Sequence, residues 1–169
     1  MIFDEDINIK LDTDKGLFFG RNLTYDEKVY LESHGYESGM FVPIGKPRQE
    51  ECWIKKNGVE SLKHTFLVQN IKQHLRKCTK DIKINITKDA DIEFRDQRGQ
   101  LVGIEIETGT QYKKNRKGFD TKFSQLRKRY KRLYIVLTTK KYKRHYKRAL
   151  HMHIYLRQEI PTLFRRIYG

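Results

Sequence analysis

The sequence predicts an α/β domain built around a mixed β-sheet. Two helical segments with clear apolar faces alternate with four short segments of strand character, in the order helix, three strands, helix, strand. Two of the strands are close enough in sequence to form an antiparallel hairpin, so we expect a mixed sheet. A chain of 169 residues suits one compact domain with an added segment. We therefore expect a main domain over residues 60–169 and an N-terminal elaboration or small subdomain over residues 1–59.

The first sixty residues contain one clear helix signal. Thr24 stands three residues before Glu27, which is the spacing of a capping box, and this predicts a helix from about Tyr25 to Ser33. Residues 39–54 hold two of the three prolines of the chain. That segment is therefore predicted to be extended and interrupted by turns.

The predicted core begins with a long helix over residues 60–77. Leu67, Ile71 and Leu75 recur there at helical spacing and mark one apolar face. Residues 81–87 follow, with isoleucine at every second position. This alternation predicts the first strand of the sheet.

A hairpin and a second helix come next. The strand segments 90–94 and 101–108 are separated by a turn that contains Gly99. Apolar residues spaced by three and four then predict a helix over residues 119–133. The continuous apolar run from Tyr134 to Thr138 is typical of a strand covered on both faces.

The last thirty residues leave the choice of elements more open. Residues 141–150 favour a helix, and residues 151–156 favour a strand, which would align His151 with His153. A final helix over residues 159–167 is expected to be broken at Pro161.

Carboxylates are concentrated on the predicted hairpin. Glu105 and Glu107 are two residues apart on one strand, so they point to the same face. With the turn centred near residues 97–98, Asp91 on the partner strand lies close to opposite Glu105. Like charges in such positions destabilise a sheet, unless the face is well solvated or a divalent cation binds there.

This pattern resembles the PD-(D/E)XK nuclease superfamily, whose core is helix, three strands, helix, strand. The family motif has an acid at the start of the second strand, which Asp91 matches, and then an (Asp/Glu)-x-Lys on the third, which Glu105 begins. Glu107 replaces the motif lysine, as in the Glu-x-Glu variant of some restriction endonucleases. The resemblance implies a restriction-endonuclease-like fold, with Mg²⁺ or Mn²⁺ held by Asp91 and Glu105 and with Glu107 orienting or activating water.

Lys122 is the candidate for the missing lysine. It lies on the second predicted helix, about 60° from the centre of the apolar stripe, and so it could reach over the sheet toward Glu105. Some members of the superfamily supply the lysine from that helix. A solvated or DNA-contacting lysine is the alternative role.

A further resemblance is to replication-relaxation and mobilisation proteins of plasmids and mobile elements, over roughly residues 60–140. The matching positions are His64, Val68, Asn70, Glu105, Glu107, Gly109 and Thr110. Three secondary candidates follow from the superfamily pattern. Glu60 would add an acid, although helix capping explains it equally well. His64 would touch a phosphate or serve in packing, and Gln125 faintly matches a recombination-exonuclease signature.

The excess of positive charge lies in the C-terminal third of the chain. The net charge is +15, but residues 110–169 hold 19 lysines and arginines against two acids. Such a segment is typical of a phosphate-binding surface, with a solubilising charge run as the alternative. The DNA-binding candidates in the predicted loop after Gly109 are Lys113, Lys114, Arg116 and Lys117. Those on the second helix and just after it are Arg127, Lys128 and Lys131.

Together these features predict a metal-dependent DNA endonuclease encoded by or acting on a mobile element, phage or plasmid. The first alternative is a nuclease-fold DNA-binding protein in replication or DNA transfer that does not cut, and the second is an RNA-binding basic protein. A homodimer would let one domain per subunit cut both strands. The chain shows no signal-peptide pattern and no apolar run of membrane-spanning length, so we expect a cytoplasmic protein without a membrane partner.

Overall fold

The computed structural model describes residues 9–169. The chain divides into two compact units between Gln69 and Asn70, inside one long helix. The described residues form one antiparallel and one mixed sheet together with six helices, so the predicted α/β class with a mixed-sheet core is confirmed. The predicted domain limits, 1–59 and 60–169, stay a prediction. No helix in the described part of the chain is both long enough and apolar enough to cross a membrane.

The first unit contains a three-stranded antiparallel sheet. Its strands are β1 (Leu17–Phe19), β2 (Tyr36–Phe41) and β3 (Glu50–Lys55), and β3 lies between the other two. Side chains of β3 alternate between two buried apolar clusters, as a strand covered on both faces requires.

Helix α1 (Tyr25–Ser33) begins and ends at the predicted residues. The Thr24 hydroxyl accepts a hydrogen bond from the Glu27 N–H at 3.3 Å, and the Glu27 carboxylate accepts one from the Thr24 N–H at 2.7 Å. These reciprocal bonds satisfy N–H groups that the first turn would otherwise leave unpaired. The predicted capping box is confirmed.

Helix α2 (Leu62–Leu75) is two residues shorter at each end than the predicted helix over 60–77. The Ser61 hydroxyl accepts a hydrogen bond from the His64 N–H at 3.2 Å, and it therefore caps the helix.

The second unit contains a five-stranded mixed sheet whose strands follow chain order. They are β4 (Lys83–Ile84), β5 (Ile92–Arg95), β6 (Leu101–Glu107), β7 (Arg132–Leu137) and β8 (Ile154–Leu156). The first three pair antiparallel, and β7 and β8 then join in parallel. The internal position of β7 agrees with its continuous apolar run.

Helices cover both faces of this sheet. They are α3 (Thr110–Lys114), α4 (Arg116–Arg129), α5 (Lys143–Leu150) and α6 (Ile160–Tyr168). The apolar sides of α4 and α5 pack in one buried cluster with Ile135, Leu137, Ile154 and Leu156. Tyr155 points to the opposite face, where its hydroxyl accepts a hydrogen bond from Arg166 of α6 at 3.1 Å.

The predicted first strand and second helix of the main domain have different limits in the structure. The strand expected over residues 81–87 is reduced to β4, because the reversal toward β5 already begins at Asn85, whose amide donates to the Ala90 carbonyl at 2.9 Å. The helix expected over residues 119–133 is shifted toward the N-terminus as α4. Asn115 caps it by accepting a hydrogen bond from Gly118 N–H at 2.9 Å, and the extended backbone of Tyr130 ends it.

Two further expectations are wrong. The segment after Gly109 is not a loop, because it forms α3 and the first turn of α4. Pro161 does not break the last helix. It lies in the first turn of α6, where a proline costs no intrahelical hydrogen bond.

Candidate active site

Three carboxylates lie on one face of the five-stranded sheet. In the β5–β6 pair, Ile92 lies opposite Ile104, so the next position outward places Asp91 opposite Glu105. Glu107 follows two residues later on β6 and points to the same face. The register predicted from the position of the hairpin turn is confirmed.

The three carboxylates are buried. Asp91 is 9% exposed, Glu105 is 3% exposed and Glu107 is 5% exposed. The alternative of a well-solvated polar face is therefore wrong. Buried like charges are unfavourable unless hydrogen bonds and positive charge compensate for the lost water, and both kinds of compensation are present here.

Backbone hydrogen bonds hold Asp91 and Glu105 in place. The Asp91 N–H donates to Glu105 Oε2 at 3.1 Å, and the Ile106 N–H donates to Asp91 Oδ2 at 2.7 Å. Each carboxylate thus accepts a bond from the opposite strand, where regular β5–β6 pairing has ended. These bonds orient both side chains toward the same area.

Lys122 of α4 supplies the positive charge. Its ammonium donates to Oε1 of both Glu105 and Glu107. The predicted reach of this side chain from the helix to Glu105 is therefore confirmed. The Lys122 side chain is 30% exposed, so the ammonium lies between the buried carboxylates and the solvent.

Tyr146 of α5 is the site residue that sequence reasoning missed. Its ring is fully buried, and its hydroxyl donates to Glu107 Oε2 at 2.8 Å. Tyr142, Tyr146 and Leu150 recur at helical spacing, which marks the inner face of α5. That spacing does not reveal Glu107 as the partner, because the two residues are 39 positions apart.

The electrostatic balance of the site raises the pKa values of Glu105 and Lys122. Burial, followed by the negative charge of Asp91, raises the pKa of Glu105 to about 8, although Lys122 acts in the opposite direction. Burial lowers the pKa of Lys122, but Glu105 and Glu107 outweigh it and the net direction is upward. Lys122 therefore stays protonated, and the raised pKa of Glu105 reflects more negative charge in the site than one ammonium balances.

Gly109 shapes the exit from β6. Its φ of 91° lies in the left-handed region, and a Cβ there would lie 2.1 Å from the Tyr142 ring. Only glycine fits both constraints. The chain can therefore turn directly from the carboxylate strand into α3, whose Tyr112 ring contacts Tyr146 of α5.

The donor set of the site fits a hard divalent cation. Asp91, Glu105 and Glu107 offer carboxylate oxygens, which Mg²⁺ and Mn²⁺ prefer as ligands. The ammonium of Lys122 already occupies a position between two of these carboxylates, so positive charge is stabilised there. Asp91 and Glu105 are the residues that would hold the ion, because their strands fix both side chains.

The predicted DNA-binding residues differ in their surroundings. Lys113, Lys114, Arg116 and Lys117 are exposed on α3 and the first turn of α4, where Arg116 pairs with Asp120 at 3.2 Å. Lys128 and Lys131 are exposed as well. Arg127 has a partner inside the protein, since its guanidinium donates to the Leu150 carbonyl at the end of α5.

Glu60 and His64 belong to the first unit, where the Glu60 carboxylate contacts His64 Nδ1 at 2.8 Å. Gln125 is exposed on α4. His151 and His153 do not align on a strand, because His151 ends α5 with a φ of 49° and His153 precedes β8.

Comparisons of the chain with protein-family models, with curated proteins and with solved structures find no match. A functional assignment therefore depends on the residues of the site.

Proposed function

We propose that this protein is a Mg²⁺- or Mn²⁺-dependent DNA endonuclease that hydrolyses phosphodiester bonds. The observation that carries the proposal is the convergence of three buried carboxylates and one lysine, Lys122, where β5 starts and β6 ends. Burying this much negative charge on adjacent strands is costly, and cation binding is a function that would justify it. The resemblance to mobilisation proteins supports a role in the DNA of a mobile element, phage or plasmid, in the cytoplasm.

Each residue has a role that follows from its place. A bound divalent cation would supply Lewis-acid chemistry, polarising a phosphoryl oxygen and lowering the pKa of water. Asp91 and Glu105 would hold that ion. Glu107 would accept a proton from the attacking water, whose oxygen bonds to phosphorus while the bond from phosphorus to one bridging oxygen breaks. The leaving oxygen takes a proton from solvent.

Lys122 would stabilise the scissile phosphate. It stands in for the motif lysine that Glu107 replaces on β6, and its ammonium lies at the boundary between the carboxylates and the solvent. Lys122 would pair less strongly with Glu105 once that carboxylate helps to hold the ion. The ammonium would then be available to the negative charge that develops on the phosphate oxygens.

A second candidate function is DNA binding without cleavage. The ion pairs of Lys122 with Glu105 and Glu107 favour it, because a lysine that compensates two carboxylates is also a stable structural arrangement. The two functions differ in one observable property, which is metal-dependent hydrolysis.

The test is a cleavage assay with supercoiled plasmid, linear duplex and a four-way junction. Wild type and Glu105→Gln would be incubated with Mg²⁺, Mn²⁺ or EDTA. We expect wild type to cut at least one substrate in a metal-dependent manner, and Glu105→Gln to lose this activity while retaining DNA binding.

A matched control is Asp81→Asn, which removes one exposed carboxylate from the same unit. It should cut as wild type does. Failure of wild type to cut any of the substrates, with tight DNA binding by all three proteins, would establish the second function instead.

A further inference from the structure

The segment from Lys140 to Leu150 is a strongly basic part of the second unit. It forms a 3-10 turn followed by α5 and holds six lysines and arginines and no acid. Lys143 pairs with Glu159 at 2.7 Å. The other five are exposed, and none of them has an acidic partner among the described residues: Lys140, Lys141, Arg144, Lys147 and Arg148.

The inner face of α5 belongs to the candidate active site. Tyr146 points inward and donates its hydrogen bond to Glu107, whereas Arg144 and Arg148 point outward. A helix with its side chains is roughly 10 Å across, so the outward charges lie about one helix diameter from the carboxylate. Because α5 contacts Glu107 directly, a polyanion on its outer face would lie within about one helix diameter of the carboxylates.

The turn before α5 lies at the same edge of the sheet as Glu107. Strands β6 and β7 are parallel, and the Thr138 N–H donates to the Glu107 carbonyl at 3.0 Å. Lys140 and Lys141 follow immediately. On the neighbouring helix α3, the Tyr112 ring contacts Tyr146 with centroids 5.4 Å apart. The exposed lysines of α3 therefore lie next to this surface.

We propose that α5 and the turn before it form the main contact of this protein with the phosphodiester backbone of DNA. The proposal deepens the proposed function and rests on it for the choice of DNA as partner. Arg144, Lys147 and Arg148 would contact successive phosphates from one helical face, and Lys140 and Lys141 would hold the backbone at the carboxylate edge. Such contacts position the scissile phosphate without reading base sequence.

The test measures binding to a labelled DNA duplex by fluorescence anisotropy, in EDTA, over a range of salt concentrations. The variant is Arg144→Ala/Arg148→Ala in the full chain. Each phosphate contact contributes about 0.9 to the slope of log affinity against log salt. We therefore expect the double variant to bind more weakly and its slope to fall by about 1.8.

The matched control is Lys77→Ala/Arg165→Ala, which removes the same charge from two exposed residues of this unit. Both lie near the stacked pair of His74 and Phe164, on the side of the sheet that α6 covers. The control should keep the wild-type slope, and both double variants should keep the wild-type melting temperature.

Three results would overturn the proposal: an unchanged slope in Arg144→Ala/Arg148→Ala, an equal loss of slope in the control, or tighter binding to an RNA duplex of equal length than to the DNA. Binding in EDTA does not depend on hydrolysis. If wild type cuts no substrate and Arg144→Ala/Arg148→Ala still reduces the salt dependence of DNA binding, the endonuclease proposal is contradicted. The proposed DNA contact through α5 is then still supported.

Discussion

The Tyr146 hydroxyl of α5 donates a hydrogen bond to Glu107 Oε2 at 2.8 Å. Helix α5 follows β7 in the chain. The other oxygen of Glu107 accepts from Lys122, so the carboxylate is held between α4 and α5. Glu107 is therefore fixed by contacts from two different helices. Its orientation depends on how both helices pack on the sheet.

Removing the Tyr146 hydroxyl should destabilise the fold. In Tyr146→Phe a buried carboxylate loses one donor, and we expect the free energy of unfolding to fall by about 2 kcal/mol, measured by urea denaturation. The control is Tyr142→Phe, since Tyr142 packs in the same cluster and its hydroxyl has no hydrogen-bond partner among residues 9–169. Equal stability of the Tyr146 and Tyr142 variants would show that the hydroxyl contributes nothing.

Removing the ammonium of Lys122 should lower the free energy of unfolding by more than removing the Tyr146 hydroxyl does. Lys122→Met leaves Glu105 and Glu107 buried without their shared counter-charge, and we expect a loss on the order of 3 kcal/mol in EDTA. The comparison is Lys117→Met, an exposed lysine of the same helix, which should change stability little.

Added Mg²⁺ distinguishes a metal site from a structural ion pair. If a cation binds the carboxylates, Mg²⁺ should raise the melting temperature of Lys122→Met more than that of wild type, because it replaces the missing charge. A melting temperature of the variant that does not respond to Mg²⁺ or Mn²⁺ would count against the metal site.

Much of this site could be predicted from local sequence patterns. The turn between β5 and β6 set the register, which placed Asp91 opposite Glu105, and helical phase directed Lys122 toward the sheet. The capping residues Thr24 and Glu27 defined α1 to the residue. Each of these predictions uses a period within one element or a spacing across one short turn.

The unpredicted features depend on packing between distant elements. The carboxylates are buried because α4 and α5 cover their face, and Tyr146 reaches Glu107 because β7 and α5 return the chain to the same edge. An alternating strand pattern does not distinguish a solvated polar face from a covered one. Short helix α3 was also missed, because its residues show no apolar periodicity.

The raised pKa of Glu105 predicts a pH-dependent stability. The folded protein holds this proton more tightly than the unfolded chain, in which the pKa is near the ordinary value of 4.5. The contribution of Glu105 to stability is therefore fully present below that value and is lost as the pH rises through about 8. Measured in EDTA from acid to alkaline pH, wild type should lose stability relative to Glu105→Gln over this interval.

Glu93→Gln is the control for this measurement. The Tyr130 and Arg129 hydrogen bonds outweigh burial and lower the pKa of Glu93, so its stabilising effect is lost only as the pH falls through the acidic range. The stability difference between wild type and Glu93→Gln should therefore be constant between neutral and mildly alkaline pH. A constant difference for Glu105→Gln as well would contradict the raised pKa of Glu105.

Gly103 is expected to tolerate no side chain, although its backbone is that of an ordinary strand. A Cβ at this position would lie 2.8 Å from the Tyr130 ring. The Tyr130 hydroxyl accepts a hydrogen bond from the Ala90 N–H at 3.2 Å and donates one to Glu93 at 2.6 Å, so the ring supports the residue that precedes Asp91. We expect Gly103→Ala to lower the free energy of unfolding by about 1–3 kcal/mol, as overpacking does in a dense core.

A double-mutant cycle with Tyr130→Leu tests whether the ring causes this loss. A smaller, flexible side chain at position 130 leaves room for the new methyl group, so Gly103→Ala should cost less in the Tyr130→Leu background than in wild type. Additive losses would show that Gly103 is required for a reason other than its contact with Tyr130. Because the same ring supports Ala90, Gly103→Ala should also weaken cleavage under conditions where the variant is still folded.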